Sequence, residues 1–103
     1  MNTIIEIRSY QLKAGSAARF DHLMREQSLP LLDRAGMAVL AAVPSLHCEN
    51  AYLLMRGYKD LHHRAESQDE FYRSQAWLRG PRDAIMDCIE TYNTVVVPAH
   101  LLK

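Results

Sequence analysis

Residues 3–12, which read TIIEIRSYQL, are the strongest indication of the fold of this chain. The stretch is rich in isoleucine and tyrosine and alternates in character, as a β-strand does. Residues 51–58 form a second predicted strand, in which the MRGY at 55–58 resembles the IRSY at 7–10. This internal similarity favours antiparallel pairing of the two strands at the centre of one sheet.

The rest of the chain alternates between helical and extended patterns. Apolar spacing and capping residues predict three helices, over residues 17–35, 61–73 and 76–89, and two more strands, over residues 37–43 and 92–97. Prolines predict a kink or restart in the first helix and a break in the last. The order β-α-β-β-α-(α)-β is that of an α+β, ferredoxin-like split-βαβ fold with a four-stranded antiparallel sheet. Right-handed connections place its strands in the order 4-1-3-2.

Length and composition limit the classes of protein that the chain can belong to. Its 103 residues predict one domain over residues 1–103, and 12 basic against 12 acidic side chains give zero net charge. A neutral chain lacks the positive surface that binds nucleic acid or anionic membranes, so neither partner is expected. The longest apolar run, residues 37–44, is too short to span a bilayer. Cys48 and Cys88, without a secretion signal, predict reduced thiols in a cytoplasmic protein.

Side-chain alternation divides the two central strands into two faces. Small and apolar side chains form one face, which we expect to pack against the helices: Ile5, Ile7, Ser9, Ala51, Leu53, Met55 and Gly57. Charged, aromatic and large aliphatic side chains form the other: Ile4, Glu6, Arg8, Tyr10, Leu12, Tyr52, Leu54, Arg56 and Tyr58. This second face needs a cover, and a second copy of the chain is the most economical one. We therefore predict a homodimer whose sheets stack and close into an α+β barrel.

The opening strand also resembles a known family. Residues 6–15 (EIRSYQLKAG) are similar to the EIRTYxLKPG start of NIPSNAP-family proteins, and the similarity continues in order through LPLL at 29–32, YKDL at 58–61 and QAW at 75–77. The resemblance implies a small dimeric α+β barrel, of a family without a settled chemistry. Sister families on this barrel include cofactor-free monooxygenases, haem-degrading enzymes, polyketide cyclases and lactone isomerases, so the fold alone assigns no reaction. Leu54 and Arg56 stand where the resemblance implies His and Trp.

The polar face of the sheet carries the strongest candidate site: Glu6, Arg8, Tyr10, Arg56 and Tyr58. In a dimeric barrel these groups would converge on an enclosed cavity, where Glu6 needs an ion pair with Arg8 or Arg56. In a functional interpretation, an arginine binds the carboxylate or enolate of a small ligand and a tyrosine donates a proton. In a structural interpretation, the same groups form an ion-pair network that sets strand register and dimer orientation. Two arginines against one glutamate favour an anionic ligand.

Further lining residues of such a cavity are Tyr52, Leu54 and Trp77. Trp77 either walls an aromatic pocket together with Phe71 and Tyr72 or packs its short helix onto the sheet. No metal ion and no organic cofactor is predicted. The sequence HCE at residues 47–49 has metal-ligand side chains, but they are consecutive in a loop and no other ligands converge on them.

Two functional hypotheses follow. The first is a cofactor-independent enzyme of monooxygenase, isomerase or cyclase type, acting on a small, partly apolar, anionic molecule. Its base would come from Glu6, Tyr10 or Tyr58, and Arg8 or Arg56 would stabilise an anion. The second is a non-catalytic module that binds a metabolite or a protein and whose barrel interior is filled. An enclosed cavity of about 300 Å³ or more would favour the first hypothesis, and a solid interior the second.

Overall fold

A computed structural model describes residues 1–102 and shows the predicted order of elements. The four strands are β1 (Ile4–Leu12), β2 (Ala38–Pro44), β3 (Ala51–Tyr58) and β4 (Ile89–Pro98). The helices are α1 (Ala17–Leu23), α2 (Leu29–Arg34), α3 (Leu61–Arg73), α4 (Gln75–Arg79) and α5 (Arg82–Cys88), with a π-helical turn at Met24–Ser28 and a 3-10 turn at Ala99–Leu102. Within residues 1–102, none of the helices has both the length and the apolar character needed to cross a membrane.

The strands form one antiparallel sheet in the order β2-β3-β1-β4, which is the predicted order read from the other edge. Across the central pair, Glu6 lies opposite Arg56 and Tyr10 lies opposite Tyr52. The ferredoxin-like α+β architecture is therefore confirmed. Strand β4 begins at Ile89 rather than at residue 92, because a register shift in β1 lets Leu12 pair with Ile89.

The prolines act where the sequence predicts, and each break has a local structural solution. Pro30 lies in the first turn of α2, directly after the π-helical turn that joins α2 to α1. Gly36 follows α2 with a φ of +76°, a conformation that glycine adopts without strain. Gly80 and Pro81 separate α4 from α5.

The helices cover the face of the sheet that the sequence assigned to a second copy of the chain. Phe20 of α1 packs against Tyr10 and Tyr52, with ring centroids 5.3 and 5.0 Å apart. The same core contains Leu12, Leu54 and Tyr58 from the sheet, and Phe71, Trp77 and Ile85 from the other helices. The prediction that the helices pack on the side of Ile5, Ile7 and Ser9 is therefore wrong, and so is the argument that the polar face needs a partner chain to cover it.

The physical reason for this reversal lies on α3. Arg64, Gln68 and Tyr72 follow one another at four-residue spacing and so share one side of the helix, which faces the sheet. They hydrogen-bond to Glu6 and Arg56, so the polar face is buried with its charges paired. The polarity of the two sheet faces alone does not reveal these partners, because they lie on a helix.

The opposite face of the sheet has no helix of the hydrophobic core packed on it within residues 1–102, although Ile5 on this face is itself buried. It carries Ile5 and Ile7 from β1, Leu53 and Met55 from β3, Ala38, Ala41 and Val43 from β2, and Val95 and Val97 from β4. Val95 is 56% exposed, and no residue paired on this face is charged. We call these nine residues the open face.

Candidate functional site

A single carboxylate lies among three arginines between the sheet and α3. The side chain of Glu6 is fully buried, and Arg56 donates to its Oε1 at 2.6 Å. Arg64 donates through Nε to Oε2 at 2.7 Å, and Gln68 donates to the same oxygen. The Nη2 of Arg8 lies 3.3 Å from Oε1. These four donors match the number of lone-pair positions of an ionised carboxylate.

The protonation state of Glu6 follows from these neighbours. Burial alone would raise its pKa, but the charge and hydrogen bond of Arg56, the hydrogen bond of Gln68 and the charge of Arg8 lower the pKa to about 2. Glu6 is therefore ionised at neutral pH, and its acceptor positions are already occupied. This geometry makes it a structural counter-charge and a poor base.

The lowered pKa of Glu6 predicts how stability changes with pH. Its usual value is 4.5 and its folded value about 2, so the unfolded chain binds the proton more readily. The stabilisation is complete above about pH 5 and is lost as the pH falls toward 2, by about 3 kcal/mol in all. Urea unfolding at pH 6, 5, 4 and 3 should show this decline. The ¹³C shift of the Glu6 carboxyl should stay that of an ionised group down to pH 3; a titration midpoint near 4.5 would contradict the prediction.

We call Glu6 and the side chains around it the buried cluster: Arg8, Arg56, Tyr58, Arg64 and Gln68. Tyr72 of α3 connects this cluster with a pocket. Its hydroxyl oxygen accepts hydrogen bonds from Nη1 of Arg56 at 2.9 Å and from Nη1 of Arg8 at 3.4 Å. Arginine carries no acceptor, so neither neighbour can take the hydroxyl proton of Tyr72. That proton is available to a further partner.

The pocket lies between α3, α4 and α5 and the strands β1 and β4, and has a volume of about 300 Å³. Aromatic rings and aliphatic chains make up most of its wall: Tyr10, Tyr72, Trp77, Ile85, Met86, Ile89 and Tyr92. Arg8, Gln68 and Arg82 are its remaining polar residues. We call this space the helix–sheet pocket.

Arg8 is the least satisfied arginine of the cluster and the one that lines this pocket. Its side chain is 10% exposed, and its contacts with Glu6 and Tyr72 are long. Its Nε is buried and has no hydrogen-bond partner within residues 1–102. The guanidinium also lies over the ring of Tyr92, 5.1 Å from the centroid. A buried guanidinium with unused donors beside an apolar pocket is suited to an anionic ligand.

The structure brings together only part of the site predicted from the sequence. Arg8, Tyr10 and Trp77 line the helix–sheet pocket. Glu6, Arg56 and Tyr58 lie behind its wall in the buried cluster, while Tyr52 and Leu54 belong to the hydrophobic core. The ion pair of Glu6 with Arg56 forms as predicted.

The contribution of α3 to the site was not predicted from the sequence. Gln68 and Arg64 were assigned no role, and Tyr72 was considered only as part of an aromatic wall. The signal that would have found them is their spacing, since residues 64, 68 and 72 share one side of a helix that must cross a sheet face containing Glu6.

Burial raises the pKa of Tyr10 to about 12, so its hydroxyl stays protonated and serves as a donor.

Comparison with known proteins gives relatives by structure. No family model matches the sequence, and no curated protein matches it. A NIPSNAP family protein from Agrobacterium tumefaciens superposes with a TM-score of 0.86 and 19% identity, over 94% of this chain and 85% of its own. An uncharacterised NIPSNAP domain protein from Burkholderia xenovorans gives a TM-score of 0.82 and 18% identity, over 91% of each chain.

A protein of lower structural similarity is named as an enzyme. A candidate antibiotic biosynthesis monooxygenase from Nitrosomonas europaea superposes with a TM-score of 0.69 and 16% identity, over 91% of this chain and 95% of its own. Identities this low relate the proteins by fold and transfer no activity. The structural matches confirm the resemblance seen in the opening strand: this chain has the fold of NIPSNAP family proteins.

Proposed function

We propose that this protein binds a small, partly apolar, anionic molecule in the helix–sheet pocket. The observation that supports this proposal is Arg8, which is 9% exposed and keeps unused donors at the wall of an otherwise aromatic and aliphatic space. A volume of about 300 Å³ accommodates a ligand of about ten to fifteen non-hydrogen atoms.

The charges around the pocket favour an anion over a cation. Glu6 supplies one negative charge against the three positive charges of Arg8, Arg56 and Arg64, so the cluster keeps a positive surplus. Arg82, at the pocket wall, is paired with Asp83 at 2.8 Å. An anion entering the pocket therefore meets the charge of Arg8 in a site of low dielectric, where the attraction is strong.

Replacing Arg8 with methionine tests this proposal. Trp77 is the one tryptophan of the chain and lines the pocket, so its indole N–H resonance reports binding. Phenylethyl or phenylpropyl anions with carboxylate, sulfonate or phosphonate head groups are the probes, and at least one is expected to shift this resonance. Arg8→Met should weaken that binding by about 10- to 100-fold, since a hydrogen bond to a charged group contributes about 1.5–3 kcal/mol.

Arg25→Met is the matched control, because Arg25 is more than half exposed and pairs with Asp21 on the outer side of the first helix. It should leave binding unchanged. Arg8→Met leaves Glu6 bonded to Arg56 and Arg64, so this variant should remain folded. If none of the three anions binds, or if Arg8→Met binds as tightly as the unchanged protein, the proposed function is wrong.

A cofactor-independent enzyme of monooxygenase, isomerase or cyclase type is the second candidate function. It is favoured by the similarity in fold to the Nitrosomonas protein and by the presence of a pocket of about 300 Å³. The base must then come from the substrate or from a group other than Glu6. Liquid chromatography coupled to mass spectrometry, which also resolves isomers of equal mass, distinguishes the candidates when it is applied to a bound ligand after incubation in air. A gain of oxygen or an isomeric product supports an enzyme, and an unchanged ligand supports the non-catalytic module.

We further propose that a second copy of the chain covers the open face, as a cytoplasmic homodimer. The open face is uncharged and measures about 19 Å across its four strands. Two such faces complement each other in chemistry, because each would bury apolar side chains without burying a charge. The free thiols of Cys48 and Cys88 agree with a reducing compartment.

A further inference from the structure

The polar end of the helix–sheet pocket presents hydrogen-bond donors. Arg8 contributes its guanidinium, Tyr72 a hydroxyl proton that its arginine neighbours cannot accept, and Tyr10 a hydroxyl that stays protonated. Gln68 directs its amide N–H groups at Glu6 and Tyr58, so it adds an acceptor oxygen but no donor. A head group bound here must therefore accept two or three hydrogen bonds.

The charge facing the pocket corresponds to one elementary charge. Arg56 pairs with Glu6 at 2.6 Å behind the wall, and Arg82 pairs with Asp83. Arg8 alone faces the pocket with long contacts only. A phosphate-type group carries close to two charges near neutral pH and three acceptor oxygens, more than one guanidinium and two hydroxyls satisfy. A carboxylate carries one charge on two oxygens, which these donors match.

The rest of the pocket wall is complementary in shape and polarity to a flat apolar group of a ligand. Trp77 and Tyr72 meet edge to face with centroids 5.4 Å apart, and Tyr92 lies on the side of Arg8. Ile85 and Ile89 complete the far side. Rings packed at these angles accept another aromatic ring edge-on or offset, which contributes about 0.5–1.5 kcal/mol beyond the area buried.

We infer that the ligand of the helix–sheet pocket is an aromatic or similarly compact apolar monocarboxylate, with its carboxylate on Arg8 and Tyr72 and its apolar body against Trp77. This inference rests on the proposed function and narrows it to one head group and one kind of body. It makes Tyr72 a ligand-binding residue through its hydroxyl.

A series that differs only in the head group tests this inference. The probes are 3-phenylpropanoate, its neutral amide, 2-phenylethylphosphonate and 2-phenylethanesulfonate, each titrated at pH 7.5 while the Trp77 indole resonance is followed. The carboxylate is expected to bind at least ten times more tightly than the amide or the phosphonate. Tyr72→Phe should weaken carboxylate binding by about 3- to 10-fold and amide binding less, because a hydrogen bond to a neutral acceptor is weaker than one to a charged acceptor.

The outcomes separate this inference from the broader proposal. If the phosphonate or the sulfonate binds most tightly and depends on Arg8, the carboxylate assignment is wrong while the anion-binding function stands. If the amide binds as well as the carboxylate, both are wrong. If Tyr72→Phe leaves carboxylate binding unchanged, the hydroxyl is not a contact to the head group, and the proposed hydrogen bond from Tyr72 to the carboxylate is wrong.

Discussion

Replacing Glu6 with glutamine is expected to lower the free energy of unfolding by about 3–5 kcal/mol. Glu6 is fully buried, and so is its partner Arg56, at 2.6 Å. Glutamine keeps the shape but removes the only negative charge in the cluster, which leaves Arg56 and Arg8 buried side by side without an anion. A domain of this size has about 5–15 kcal/mol of stability, so the loss takes a large fraction of the total.

Urea unfolding followed by circular dichroism at pH 7 measures this effect. Asp87→Asn is the control, because its ion pair with Arg19 is on the surface and both side chains are more than half exposed. That change should cost less than about 0.5 kcal/mol. If Glu6→Gln proves too unstable to purify, Arg64→Met gives a smaller loss, because Arg64 is partly exposed and Glu6 keeps Arg56. A cost of Glu6→Gln below 1 kcal/mol would show that the cluster does not hold the sheet to α3.

The strand order could be predicted from the sequence because it depends on features local to each element. Alternation in residues 3–12 and 51–58 marks the central strands, and right-handed connections leave few arrangements for the others. The break at Gly80 and Pro81 was equally local. The start of β4 was not, because it depends on where Leu12 finds a partner.

The orientation of the sheet could not be predicted from the strands alone, because burial of a charge depends on groups distant in sequence. Glu6 and Arg56 are 50 positions apart and Arg64 lies on a helix, so the polar face looked too costly to bury inside one chain. Arg64, Gln68 and Tyr72 of α3 make the burial possible, because they supply hydrogen-bond partners to Glu6 and Arg56.

The sequence placed Arg8, Tyr10 and Trp77 at a cavity enclosed by two chains. The pocket that they line lies within one chain, because its wall joins Arg8 of β1 to Tyr72 of α3.

The corrected orientation changes the expected dimer as well. The partner's sheet would meet small and aliphatic side chains, not the charged cluster, and each helix–sheet pocket would be complete within one chain. Anion binding and dimerisation should therefore be separable, and a variant can abolish one while the other persists.

Val95→Lys is expected to weaken the dimer by at least about 100-fold. Val95 lies on β4 opposite Ile7 and is 56% exposed in the single chain. In a dimer the ammonium group would be buried on an uncharged surface, at a cost of several kcal/mol without a partner. In the monomer the same group reaches water, so folding should be little affected. Sedimentation velocity across a range of protein concentrations measures the dissociation constant.

Leu61→Lys is the matched control, since Leu61 is 64% exposed and apolar but lies at the start of α3, away from the open face. It should leave the dimer intact. Val95→Lys should keep the affinity of the helix–sheet pocket for its anion, because that pocket contains no residue of the open face. A dimer that survives Val95→Lys must use another surface, and an unchanged protein that stays monomeric at high concentration rules out the homodimer. Within residues 1–102, the open face is the side of the sheet available to a partner, because the helices already cover the other side.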